Sequence, residues 1–275
     1  HKTGKRIYDG WKRDKKREWV RISILGAGRQ VGRSCFLLQT QESRVLLDCG
    51  IDTAAPADNG MFPYFDAPEF NLNDIDAVVI THPHLDHSGV VPYLYKMGYD
   101  GPCYMTAPCR DIAALLGLDM IGIAQKDAKE PLFGSADIKN MVKHTICLDY
   151  EEVTDITPDV RLTLYNAGHT LGSALAHLHI GNGLHNFLYG GDHLYEDSNL
   201  LYRASTSFPR LETVMMESTY GGKDDMGPTR QECEEKLVEL VKKTIERNGK
   251  VLMPVLGVGR SQEMMLIIEK SIMEG

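Results

Sequence analysis

Six consecutive residues, His82 to His87 in the order HPHLDH, hold three histidines and an aspartate. In an extended or tightly turned loop, residues two apart point the same way. His82 and His84 can therefore grip one cation while Asp86 and His87 turn toward a neighbouring position. Neutral imidazoles with carboxylates are the donors zinc takes in sites that keep a position open for water. Histidines buried as ordinary hydrogen-bonded residues do not account for three of them crowded around one carboxylate. Two later stretches offer more donors. NAGHTLGS places His169 after an apolar run, and LYGGDH places Asp192 after another. Each is weak alone, because a histidine or aspartate beside glycine is an everyday turn residue.

These donors need rigid elements behind them, and the periodicity supplies candidates. Residues 18–25, 34–40 and 43–50 alternate or run apolar between short turns, which predicts adjacent antiparallel strands. GAGRQVGRS has no helix pattern after it, so it reads as the turn between the first two strands rather than a dinucleotide loop. Residues 75–82 predict a buried strand ending at the histidine cluster. Residues 88–98 predict a helix opened by Ser88 and closed by Gly98. A short strand at CYMT is followed by helices over 109–126 and 135–144, then strands over 160–169, 173–180 and 185–192. A strand in LETVMMESTYGG leads to a long helix whose Thr229 and Glu232 form a capping box. Its stripe of Cys233, Leu237, Leu240, Val241 and Ile245 calls for a covering surface. KVLMPVLGVGRSQEMMLIIEK predicts a buried strand, a glycine turn and a further helix. Strands, helices and strands again indicate an α+β sandwich rather than an evenly alternating doubly wound sheet.

Composition bounds the partners. The 275 residues are 43% hydrophobic and 25% charged, with a net charge of -8, which fits a globular protein and not a generally basic one. A basic run (Lys2, Lys5, Arg6, Lys12, Arg13, Lys15, Lys16, Arg17) forms either a phosphate-contacting arm or a solvated extension. The six cysteines form no CxxC pair and read as reduced, mostly buried thiols. No apolar run is long enough for a membrane span and no signal peptide opens the chain, so the expected location is the cytoplasm. A start at His1 and an end inside a helical pattern predict a segment of something longer.

HxHxDH, AGH and GD in this order, with LLDCG upstream, resemble the zinc motifs of the metallo-β-lactamase superfamily. MESTYGG and GVGRSQE resemble its β-CASP nucleases. The phrases GAGRQVGRSCFLL, THPHLDHSGVVPYL and AGHTLGSA look most like archaeal members of the cleavage and polyadenylation specificity factor group. The likeness runs from about Val20 to the C-terminus. It implies an αββα sandwich carrying the start of an inserted α/β β-CASP domain. The divisions expected are a basic extension over 1–19, a metallo-β-lactamase domain over 20–220 without its final strands, and the opening of the β-CASP domain over 221–275.

By position, the resemblance implies two zinc ions: His82, His84 and His169 on the first, Asp86 and His87 on the second, and Asp192 bridging both. Asp48 would orient the histidine loop from behind. Glu217 would steady a histidine that the family carries in a later motif. His144, His177, His179, His185 and His193 lie outside the pattern and read as satisfied polar residues. Arg260, in a turn before a helix, is either a phosphate contact or a structural ion-pair partner. The implied activity is a zinc-dependent endoribonuclease, with 5′–3′ exonuclease trimming as a second mode, hydrolysing phosphodiesters with a metal-activated hydroxide. The implied setting is RNA 3′-end processing or transcription termination. Expected partners are single-stranded RNA, RNA polymerase or the processing machinery, and a second copy in a homodimer, with no membrane. The alternatives are a hydrolase of small esters or lactams and a catalytically silent RNA-binding paralogue.

Overall fold

Alternation in strands β2 (Phe36–Gln39) and β3 (Arg44–Leu47) sorts their side chains onto two faces. Leu37 and Leu46 pack toward helices, whereas Leu38, Val45 and Leu47 pack toward a second sheet. The computed structural model describes residues 18–55 and 60–274, so the basic run of residues 2–17 lies outside the described residues. With β1 (Arg21–Ile24), these strands form the predicted antiparallel meander.

The sheet continues in parallel through β4 (Ala77–Val79), β5 (Cys103–Met105) and β6 (Thr145–Cys147). Parallel neighbours need crossovers. The β4–β5 crossover is α1 (Leu85–Ser88) with α2 (Val91–Lys96), and the β5–β6 crossover is α3 (Ala107–Lys126) with α4 (Ser135–His144). Val91, Leu94, Ala113, Ile138 and Met141 bury the outer face of this sheet. Helix α3 starts where Thr106 accepts from the Cys109 N–H and Pro108 occupies the first turn.

The second sheet runs β11-β10-β9-β8-β7. Strands β7 (Val153–Thr157), β8 (Val160–Asn166), β9 (Ala174–Ile180) and β10 (His185–Tyr189) are antiparallel, and β11 (Thr213–Met215) joins β10 in parallel. Leu162, Leu164, Ala176, Leu178 and Phe187 meet the first sheet, forming the sandwich core. The other face holds Leu175 and Leu188 with Ala204, Phe208 and Leu211.

Four local expectations are corrected. Ser88 does not open a helix: it ends α1, where its hydroxyl donates to the carbonyls of Pro83 and His84, and α2 starts afterwards. The strand predicted in KVLMPVL is not formed among the described residues; the segment has no regular structure and Leu252 is 92% exposed, with no described strand pairing it. Strands β6 and β7 were not in the sequence pattern. β6 is three residues following a helix without a breaker, and β7 mixes polar and apolar residues, with Val153 and Asp155 exposed and Ile156 and Thr157 buried. The stripe on α5 (Arg230–Glu246) is only partly covered. Leu237 and Val241 are half-buried against a unit that includes α6 (Arg260–Glu274), while Cys233, Leu240 and Ile245 face solvent. The Thr229 and Glu232 capping box is present. Cys35, Cys49, Cys103 and Cys109 are buried free thiols, Cys147 is half-buried and Cys233 exposed.

Candidate metal centre

The donors gather at one end of the sandwich because four strands stop there. After β4 the chain bends at Thr81, and His84 caps the four-residue helix α1. His82 and His84 precede the helix, and the helical turn carries Asp86 and His87 to the next position. Backbone bonds pin this loop: Ser34 N–H donates to Asp86 O (2.8 Å), Cys49 N–H to His87 O (2.7 Å) and Ile51 N–H to Leu85 O (2.8 Å). Gly50 is required for that approach, since a Cβ there would lie 1.6 Å from Asp86 O.

Beyond β8, Gly168 turns the chain at φ +68 and the Ser173 hydroxyl accepts from the N–H groups of His169 and Thr170. Beyond β10, Gly191 at φ +50 passes so close to Thr81 that a Cβ would meet its Oγ1 at 2.5 Å. That passage sets Asp192 between the histidines.

Two donor groups result. His82, His84, His169 and Asp192 each offer one ligand atom, all within 4.8 Å of one another, as do His82, Asp86 and His87. His84 Nδ1 and His169 Nε2 are 3.2 Å apart, and Asp192 Oδ2 lies 3.6 Å from His169 Nε2 and 3.8 Å from His82 Nε2. The other oxygen of Asp192, Oδ1, is 3.3 Å from His87 Nε2, which is 3.7 Å from Asp86 Oδ2. Bonds of 2.0–2.2 Å in a tetrahedron place donor atoms about 3.4 Å apart, so both groups have the spacing a zinc ion takes. His82 Nε2 is buried and has no hydrogen-bond partner among the described residues, as expected of an atom that awaits a cation.

Asp48 stands behind the second group, fully buried at a left-handed φ of +55, a conformation aspartate tolerates. Its carboxylate accepts from Thr81 N–H and Thr81 Oγ1 (both 2.8 Å), Tyr189 OH (2.8 Å) and His87 Nδ1 (2.7 Å). That last bond keeps the proton on Nδ1 and aims Nε2 of His87 at the donor group. Thr81, Tyr189 and Ser34, whose Oγ lies 3.3 Å from His87 Nε2, were not singled out in the sequence. The available signal was a tyrosine at the end of an apolar strand, whose buried hydroxyl needs a partner.

Electrostatics separates the histidines. Burial, then the neighbouring His87 and His169, holds His82 well below the usual imidazole value. Burial also lowers His84, and it takes His169 to about 4 although Asp192 opposes it. For His87, burial disfavours the cation but the bonds to Asp192 and Asp48 prevail and raise it to about 10. Burial pushes Asp192 up, and His87 more than reverses this, leaving it below the ordinary carboxylate value. The first group is thus neutral imidazole ready to donate lone pairs, while His87 without metal is an imidazolium clasped by carboxylates.

Asp86, His87 and Asp192 open onto a cavity of about 570 Å³ between the β1–β2 loop and residues 215–219. Glu217 lines it, and its Oε1 accepts from the His193 N–H at 3.1 Å. Arg260, the first residue of α6, is exposed and does not line this cavity. The histidines outside the cluster have polar partners: His144 with Asn140 O, His177 with Arg210 O, His179 with Asn186, His185 with Thr213, and His193 with Gly191 O.

Comparisons with known proteins agree with this architecture. Transcription termination factor FttA of Methanothermobacter thermautotrophicus is 54% identical over 272 residues, 99% of this chain and 42% of that protein. The protein of the same name from Pyrococcus abyssi is 52% identical over 273 residues, 97% of this chain and 42% of its own length. The chain therefore spans about two fifths of the length of these relatives. A crystal structure of a protein of unknown function from Enterococcus faecalis V583 shares the fold, with a TM-score of 0.54 at 14% identity, covering 83% of this chain and 58% of the other. No described helix is long and apolar enough to cross a membrane. The profile of the Metallo-beta-lactamase superfamily domain matches residues 37–215, and the chain belongs to that superfamily.

Proposed function

We propose that this chain carries the catalytic centre of a zinc-dependent ribonuclease that acts in transcription termination or RNA 3′-end processing. The observation that carries the reading is Asp192, whose two oxygens face separate donor groups, as a carboxylate shared by two ions does. The relatives named as transcription termination factors give the biological setting. Residues 221–275 are read as the opening of an inserted β-CASP domain.

His82, His84, His169 and Asp192 would hold the first zinc ion, and Asp86, His87 and Asp192 the second. Zinc, when bound, supplies a Lewis acid and brings the pKa of water down to about 7. The chain's own residues do the rest. Asp86 and Asp192 accept hydrogen bonds from the attacking water and set its direction toward the phosphorus. Asp48 fixes His87, so the second donor group keeps its geometry as charge develops. Glu217 holds the backbone beside Asp192 through the His193 N–H. Arg260 would touch phosphate away from the reacting centre. The cleft suits an unpaired strand, and the products would be a 3′-hydroxyl and a 5′-phosphate. RNA polymerase or processing factors, and a second copy of the chain, complete the proposed partners.

The test combines metal analysis with cleavage of labelled RNA by the protein. Two zinc ions per chain are expected, with single-stranded RNA cut faster than duplex and cutting stopped by a chelator. The Asp86→Ala, His87→Ala double variant should keep its circular dichroism and lose cleavage. Hydrolysis of a thioester or lactam with RNA left intact at low salt would overturn the reading in favour of a small-molecule hydrolase.

A further inference from the structure

The cavity beside the second donor group is lined by Asp86, Asp192 and Glu217 together with His87. Glu217 is therefore the one carboxylate there that the proposed metal ions would not engage, and a polyanion needs positive charge beyond the donor groups to offset it. The β1–β2 loop lines the cavity too, and Arg29 is the one Lys or Arg among the described residues lining it. Arg29 is exposed and makes no ion pair among the described residues.

The loop is held in an unusual shape. Ala27, Arg29 and Arg33 adopt left-handed φ values of 59, 65 and 47, which side chains with a Cβ seldom take. Such strain persists only where surrounding contacts impose it. Here they do: Leu25 and Gly26 N–H both donate to Cys35 O, and Ser34 N–H donates to Asp86 O. The guanidinium of Arg33, 7% exposed, donates to Phe62 O, Gln30 Oε1 and Tyr64 OH. The base of the loop is thereby tied to the histidine loop itself, and Arg29, between those ties, lines the cavity.

We propose that Arg29 is a substrate-positioning residue that binds a phosphate of the polynucleotide strand lying across the second donor group. Its exposed guanidinium can offer two parallel donors to a phosphate and adds positive charge to a cavity that carboxylates line. The proposal rests on the ribonuclease reading. It differs from the Arg260 contact in acting at the cavity wall, next to the reacting phosphate.

The experiment measures binding and cleavage by the metal-loaded protein with a labelled single-stranded RNA across a salt series, comparing wild type with Arg29→Ala and Arg29→Lys. Arg29→Ala should weaken RNA binding about tenfold, the loss of one charged hydrogen-bonded contact. The slope of log affinity against log salt should shrink by about 0.7, one single-strand phosphate contact. Arg29→Lys should retain the slope while losing part of the affinity, and zinc content and Tm should stay at wild-type values in both. Unchanged affinity and slope in Arg29→Ala, with wild type still cutting RNA, overturn the proposal and leave the ribonuclease reading standing. Weaker binding with an unchanged slope also overturns it, since a purely structural loop residue behaves that way. Wild-type protein that neither binds nor cuts RNA defeats the ribonuclease reading, and the Arg29 contact with it.

Discussion

Asp48 offers no ligand atom to either donor group, yet it decides which nitrogen of His87 faces the site. Replacing it with Asn removes the charge that holds Nδ1–H and weakens the second donor group. Zinc affinity there should fall about 10- to 100-fold, measured by competition with a chromophoric chelator. The histidines also give the metal-free protein a pH signature. The pKa of His169 is lowered to about 4 on folding, so its contribution to stability is present above the ordinary value of 6.5 and lost as pH falls through 4. That of His87 is raised to about 10, so its contribution is full below 6.5 and lost as pH rises through 10. Urea midpoints of stripped protein should decline on both sides, and the alkaline decline should disappear in His87→Gln. The clustering of His82, His84, Asp86 and His87 was legible because spacing along one loop encodes direction, whereas His169 and Asp192 joined them only through the family resemblance. Thr81 and Tyr189 were not legible, since nothing local relates Tyr189 to a carboxylate 141 residues earlier.

At the level of elements, the site depends on close backbone approach more than on side-chain bulk. Gly50→Ala would drive a methyl group into Asp86 O and His87 N, so the histidine loop must lift from β3. A loss above about 2 kcal/mol and a fall in zinc content are expected, read by urea unfolding and elemental analysis. Gly122, inside α3 with nothing within 4 Å of an added Cβ, is the contrast: Gly122→Ala should gain about 0.4–1 kcal/mol. Elements with strong patterns, such as β2, β3, α4 and the capped α5, could be read from the sequence. The short helix over Leu85–Ser88, ahead of the α2 that replaces the helix expected over 88–98, could not. It arises because the chain spends a helical turn placing Asp86 and His87 before α2 begins.

Across the whole molecule, α5 and α6 meet the loop after Asp192 through one polar node. Glu263, 5% exposed, accepts from Asn199 N–H (2.9 Å), Asn199 Nδ2 (3.1 Å) and Arg230 Nη1 (2.7 Å). Glu263→Ala should free the start of α6, raising amide exchange there by an amount equivalent to about 2–3 kcal/mol while β2, β4 and β9 keep their protection. The tie from Tyr189 to Asp48 has a different reach, because it joins β10 of one sheet to the end of β3 in the other. A contact of such sequence separation is slow to find, and a growing chain cannot make it before β10 has been synthesised. The histidine loop is translated about a hundred residues earlier, so it waits without Asp192 and with His87 unclasped by Tyr189's partner network. The donor group that needs His169 and Asp192 is therefore complete only once both sheets are in place, and filling it with a metal ion would be a late step in biogenesis rather than a seed for folding.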